Sequence, residues 1–388
     1  MDSHAPSLVD MHFHVGLLGD DGSGLGGMSP EYRKSLAYKT FLYFAGIAED
    51  AVSDKLLREK TLETIRASAV GKVVCLALDP VYDIAGMRQT GQSNLWVDNR
   101  YILELRDHLP DRILFGASVH PYDPDFRTRV HLCVENGAVL LKWLPSAQHI
   151  NLADDRVREA LIFLATAGAG GKPLPLLLHV GPEYAIMSTD SRSGSYDYLT
   201  WSAWDGFVNF WRFHKRWYVP DVSAIRRTIE AGLQAGAVII FAHCGLPYFF
   251  SGPMGRLLEH SDFPEVREYL RNSDRGLYAG GCYADVSAFA TPFRKRYAQA
   301  LRDLPQEYLL MGSDFPTPIF DTAPDARAVN RAFRSFMRTG DVRYLVVPQE
   351  NLLDVNVREI EGLLGKGSPV FTNFARLLGR EGWARLIR

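Results

Sequence analysis

SLVDMHFHVG, residues 7–16, is a short apolar run that ends in two histidines one residue apart. Similar runs recur along the chain: KVVCLALDP (72–80), ILFGASVHP (113–121), AVLLKWLP (138–145), PLLLHVG (175–181), AVIIFAHCG (237–245), YADVSAFA (283–290) and YLLMGSDFP (308–316). Several are continuously apolar rather than alternating, which is the pattern of strands buried on both faces of a parallel sheet. Between them lie stretches with helical spacing, such as 54–70, where Leu56, Leu57, Leu62, Ile65 and Val70 recur on one side. Residues 221–236 and 293–304 read the same way. Strands alternating with helices predict an α/β fold, and eight such strands predict a closed (β/α)8 TIM barrel rather than a doubly wound sheet.

Two connections are long, 17–53 after the first run and 182–236 after the fifth. Both are expected as insertions at the C-terminal face of the barrel, where active sites of this fold are built. Residues 351–364 and 371–386 read as helices that close the barrel. No linker divides the chain, so one domain over 1–388 is expected.

Composition narrows the function. Of the 388 residues, 47% are hydrophobic, enough for one large core. The formal net charge of −2 offers no polyanion-binding surface, so nucleic acid is not an expected partner. No apolar run is long enough to span a bilayer, which argues against a membrane protein. The first ten residues, MDSHAPSLVD, have neither a basic nor an apolar stretch of secretory type. Cys75, Cys133, Cys244 and Cys282 are far apart and lack CxxC spacing. A disulfide framework is therefore not expected, and a reducing, cytoplasmic setting is.

The ionisable residues gather at strand ends. His12 and His14 end the first strand, Lys142 lies near the end of the fourth, His179 ends the fifth, His243 the sixth and Asp314 the eighth. In a parallel barrel all of these face one mouth. Strand residues two apart share a side, so His12 and His14 can grip one ion together. Three or four imidazole and carboxylate ligands with an open position describe a catalytic metal site, with zinc expected first and manganese, iron or cobalt suited to the same donors.

With DMHFH (10–14), HVG (179–181), AHCG (242–245) and GSDFP (312–316) in that order, the chain resembles the amidohydrolase superfamily, and within it the amidohydrolase-related branch that includes aminocarboxymuconate-semialdehyde decarboxylase. FTNFARLLG (371–379) is similar to that branch's closing helix. The resemblance implies that His12, His14, His179 and Asp314 are metal ligands, that His243 is a ligand or orients the substrate, and that Asp314 also handles protons. Lys142 has two readings. As a carboxylated lysine it would bridge two metal ions, as in two-metal hydrolases. As an ammonium it would pair with an acid or hold an anionic substrate. The expected function is a metal-dependent hydrolase that uses metal-activated water on an amide, lactone or other ester of a small, aromatic or carboxylate-bearing substrate. Asp314, His243 and Lys142 are its expected catalytic residues. The alternatives are a cofactor-free, metal-dependent decarboxylase of an aromatic or muconate-type acid, and an inactive metal-binding scaffold. The oligomeric state, a homo-oligomer included, is left open.

Other features have plainer readings. His120 ends a strand without a place in the metal set and is read as a hydrogen-bonded residue near the mouth. His4, His108, His131, His149, His214 and His260 fall on loops or helix faces and are read as solvated. Cys244 is read as a small apolar residue turned from the mouth by alternation. Gly22, Gly24 and Gly27 match GxGxxG in form, but no acidic residue ends a strand about 20 residues on, so they read as a flexible loop. Trp201, Trp204, Trp211 and Trp217 lie in the second insertion, as a core-packed helix or as a lid over the substrate.

Overall fold

In the computed structural model, the residues described are 8–181, 183, 185–186, 188–189, 198–200, 220–246, 261–291, 294–321 and 325–386. The four tryptophans of the second insertion lie outside them, as do His4, His214 and His260.

Eight parallel strands form one sheet in the order β1 (Val9–His14), β3 (Lys72–Leu76), β5 (Ile113–Ala117), β6 (Ala138–Trp143), β7 (Leu176–Leu178), β8 (Val238–Phe241), β9 (Gly281–Asp285) and β10 (Leu309–Leu310). The sheet closes on itself. Met11 N donates to Met311 O at 3.0 Å, Asp314 N to His12 O at 2.8 Å and His14 N to Phe315 O at 2.7 Å. The chain is therefore a (β/α)8 barrel, as its run-and-helix alternation predicts.

Side chains sort by strand parity. Val74, Leu76, Leu140, Leu177, Ile240 and Leu310 fill the barrel interior, while Val73, Cys75, Leu141, Ile239 and Phe241 pack outward beneath the helices. Every residue of β3, β5 and β7 is buried, because both faces of the sheet are covered. The last helix, Asn373–Leu386, stops the lower end: Phe374 joins the interior cluster, with Leu377 and Leu378 against it.

The first insertion is ordered. Gly26–Met28 (β2) pairs antiparallel with Leu95–Val97 (β4), and the helices Pro30–Arg33 and Leu36–Phe44 follow. The glycine-rich stretch is thus no free loop. Gly22 and Gly24 take the turn with φ of 71° and 68°, and Gly27 lies so close to Trp96 that a Cβ would come within 2.9 Å of its indole nitrogen. Asp54, at the start of the helix Asp54–Ala67, accepts backbone N–H bonds from Leu18, Gly19, Asp20 and Asp21 and so pins the chain leaving β1.

All four cysteines are free and buried. Among the described residues, no helix is long and apolar enough to cross a membrane.

Candidate metal centre

The site grows out of irregularities at the strand ends. In β1, Val9 and Met11 belong to the interior cluster but Phe13 packs outward, and the pairing register shifts between Asp10 and Phe13. A shift of this kind re-aims the side chains beyond it, here His12 and His14. Asp10 braces the turn from below: its Oδ1 accepts from His12 N at 3.1 Å and from Ser313 N at 2.9 Å. Burial pushes the Asp10 carboxyl up to about 6. Lys142 and His179 follow regular parity, in step with the inward-facing Leu140 and Leu177. His243 does not, since alternation would aim it outward with Ile239 and Phe241. The backbone instead leaves the strand in the left-handed region at His243 and Cys244, φ 55° at both, and His243 comes to face His12, its ring centroid 5.1 Å away. Asp314 has φ 60° for the same kind of turn at the end of β10.

Three ligand atoms converge. His12 Nε2 and His14 Nε2 lie 3.0 Å apart, and Asp314 Oδ1 lies 3.3 Å from the first and 3.4 Å from the second. Donors bound at about 2.1 Å and 90–110° apart around one ion sit about 3.0–3.4 Å from one another. The triangle therefore has the size of one face of a coordination shell. A second, overlapping group brings His12, His243 and Asp285 together, with each group's ligand atoms within 4.8 Å of one another.

The outer contacts fix which ring nitrogens carry protons. His12 Nδ1 donates to Asp285 Oδ2 at 2.8 Å, which leaves Nε2 as a lone pair toward the cluster. The Ser287 hydroxyl donates to Asp285 Oδ1 and accepts from His243 Nδ1 at 2.7 Å, so His243 Nε2 is also a lone pair. It lies 3.7 Å from Asp314 Oδ2. Thr317 Oγ1 donates to that oxygen at 2.7 Å and leaves Oδ1 to the histidines. Burial pushes His14 and His179 down to about 4 and His243 well below its usual value, so all three are neutral. Burial opposes the Asp314 charge, but His243, His12 and His14, which turn cationic as protons are added, favour it more, and the carboxyl stays well below the usual range. Neutral imidazoles and an ionised carboxylate are the donor set a divalent cation requires.

His179 Nε2 is buried and makes no hydrogen bond among the described residues. Its ring stands edge-on to His243, centroids 5.4 Å apart. Lys142 is fully buried, with Nζ 3.2 Å from His12 Nε2. Burial pulls its ammonium down to about 8, against the pull of Asp314, Asp285 and Glu183. The structure thus brings all six expected site residues to one end of the barrel. Sequence reasoning passed over Asp285, Ser287, Thr317, Glu183 and Arg294. The signal for Asp285 is its place as the one charged residue in the run YADVSAFA, 283–290.

Outside the centre, His120 is buried and hydrogen-bonded, to Gln148 O at 2.9 Å and from Tyr122 N at 3.1 Å. His108 and His131 are exposed as expected, whereas His149 is half-buried with Thr189 Oγ1 at 2.9 Å. Cys244 is buried, its thiol donating to Asp285 O.

A cavity of about 230 Å³ opens beside the centre. Its lining includes His14, His179, Glu183, His243, Arg294 and Asp314. Most of the lining is apolar, with Met28, Leu36, Phe41, Phe320, Phe333 and Phe336 from the first insertion and the C-terminal part of the chain.

No family model and no curated protein matches the chain. Solved structures do. An uncharacterized TIM-barrel protein from Bordetella bronchiseptica shares 12% identity over 92% of this chain and 97% of its own, with a TM-score of 0.44. The 2,6-dihydroxybenzoate decarboxylase from Rhizobium shares 13% over 92% and 98%, with a TM-score of 0.43. The 5-carboxyvanillate decarboxylase from Sphingomonas paucimobilis shares 12% over 93% and 99%, also at 0.43. Likeness at this level says nothing of the reaction.

Proposed function

We propose that this chain is a divalent-metal-dependent enzyme that removes carbon dioxide from a small, largely apolar carboxylic acid. This ranks decarboxylation above the hydrolysis expected from the sequence. The observation that supports it is Arg294, a guanidinium only 3% exposed on the wall of a mainly apolar cavity that also presents His14, His179, His243 and Asp314. A buried guanidinium beside a mainly apolar cavity favours a planar carboxylate over an uncharged group.

His12, His14 and Asp314 would hold the ion; His243, which groups with His12 and Asp285, and His179, whose ring stands beside His243, are the further ligands we propose. A bound divalent cation supplies Lewis acidity, stabilising negative charge that develops on the substrate. The chain's own residues do the rest. Arg294 admits the acid and orients it. The apolar wall excludes water and favours a neutral product over the carboxylate. The bond from the carboxyl carbon to its substituent breaks, the electron pair stays with the substituent, and a proton takes the place of carbon dioxide there. Asp314, on the cavity wall, would take that proton from solvent and deliver it to the substituent carbon.

Hydrolysis remains a second reading with its own support. Thr317 locks one oxygen of Asp314 and leaves the carboxylate poised to take a proton from water. Zinc and manganese both suit the donors.

Protein purified without chelator should contain a divalent metal. Content below about 0.2 per chain, with no gain on reconstitution, would remove the basis for either reading, since sites of this ligand type bind tightly. Enzyme loaded with Zn2+ or Mn2+ and given aromatic and muconate-type acids should release carbon dioxide, and Arg294→Met should abolish that release. Turnover of a lactone or amide with no carbon dioxide from any acid would establish the hydrolytic reading instead.

A further inference from the structure

The histidine at the end of β7 faces an acid that the expected ligand set does not contain. After His179 the chain turns at Gly181, φ 81°, and brings Glu183 back over the strand end. One carboxylate oxygen of Glu183 is committed to the loop: Oε1 accepts from Ala185 N and from Ile186 N, the latter at 3.0 Å. The other, Oε2, turns to His179 Nε2 at 3.5 Å. That nitrogen is buried and has no hydrogen bond among the described residues. Both side chains line the cavity with His243 and Asp314. The spacing is too long for a good hydrogen bond and just above the about 3.0–3.4 Å of two donors bound at about 2.1 Å; the pair lies outside the two groups whose ligand atoms are within 4.8 Å of one another, so ligation would draw it in toward His14 and Asp314.

We propose that Glu183 is a metal ligand, with Oε2 paired to His179 Nε2 on the cavity side of the centre. The inference rests on the metal-centre reading above and adds a carboxylate to it. Glu183 is built for the task, because the loop holds one oxygen and so fixes the direction of the other. The added negative charge would favour a divalent ion.

Glu183→Gln separates ligation from loop structure. The amide oxygen can still accept from Ala185 and Ile186, while the NH2 group that replaces Oε2 has no lone pair to give. Metal-free protein would be titrated with Mn2+ by calorimetry, and the Co2+-loaded form followed by its visible absorption. Glu183→Gln should weaken Mn2+ binding at least about tenfold and change the intensity and position of the Co2+ bands, as loss of a donor alters coordination. His179→Ala should weaken Mn2+ binding by a similar factor. The double variant should lose less than the product of the two factors, because neighbouring ligands act together. Mn2+ affinity within twofold of wild type and an unchanged Co2+ spectrum in Glu183→Gln would overturn the proposal. Failure of the wild-type protein to bind Mn2+ or Co2+ would instead defeat the metal centre itself, so the two failures are distinguishable.

Discussion

Ser287 shows how much one hydroxyl decides. By accepting from His243 and donating to Asp285 it gives His243 a lone pair, not a proton, on the nitrogen that faces Asp314. A histidine in this state suits ligation or proton uptake; it cannot donate to a substrate carbonyl until it is protonated. Asp285 does the same for His12 at 2.8 Å. Removing such partners usually costs 10–100-fold in metal affinity. Asp285→Asn should therefore weaken Zn2+ or Mn2+ binding by about 10- to 100-fold. A metal titration that matches wild type would show the carboxylate to be dispensable. His120 gives a second prediction, independent of metal. Burial pushes it down to about 3 in the folded protein, against 6.5 for the ordinary group. The unfolded chain thus binds a proton that the native state refuses. The resulting stability is complete above pH 6.5 and is lost as pH falls toward 3. Denaturant unfolding of metal-free wild type and His120→Asn should show their difference in stability shrinking by about 2 kcal/mol from pH 7.5 to pH 5. A pH-independent difference would mean that His120 is protonated in the fold.

At the level of elements, the site depends on how strands end rather than on how they run. Parity places Lys142 and His179 correctly, and the apolar runs make that parity readable. For His243, parity points the wrong way, and the left-handed backbone at His243 and Cys244 corrects it. In AHCG only Gly245, itself at φ 62°, announces such a turn, and nothing in the residue types carries it back over His243 and Cys244. The two histidines of β1 likewise need the register shift after Asp10, which no short motif encodes. Gly312 is the residue whose size the arrangement depends on. A Cβ there would lie 2.8 Å from His12 Cβ and 3.1 Å from Ser287 Cβ. Gly312→Ala should force β1 and the β10 end apart, costing roughly 1–3 kcal/mol, the usual cost of overpacking. It should also lower metal affinity. Denaturant midpoints and a Mn2+ titration check both, and unchanged values would show that the seam can relax. Asp54 is the matching device on the loop after β1. Asp54→Ala frees four N–H groups over residues 18–21 and should raise their hydrogen exchange while leaving the β7 to β9 strands protected as before.

For the whole molecule, the legible part was the barrel: eight buried runs, helices between them and a closing C-terminal helix. The less legible part was the second rank of the site. Glu183 sits in a connection, where no period gives a side chain a direction, and Arg294 opens a short helical turn at Arg294–Tyr297 rather than ending a strand, so only the folded chain brings them to the cavity. The barrel's seam ties the metal to stability. β10 has only two ladder residues, and the β1–β10 closure runs through isolated bonds at Met11, His14 and Asp314. His12 and His14 lie on one side of that seam and Asp314 on the other, so an ion held by all three would join first strand to last. A ligand that binds only the native state stabilises it by about 2.7 kcal/mol at 100 times its Kd, and by more as its concentration rises. Metal-free protein should therefore melt at a lower temperature than protein with saturating Mn2+, and the gap should widen with metal concentration. His12→Ala should melt at the same temperature with or without metal. Hydrogen exchange should locate the gain at residues 9–14 and 309–316, the two sides of the seam. If saturating metal raises the melting temperature of His12→Ala as much as that of wild type, the stabilising ion is bound elsewhere and does not close the barrel.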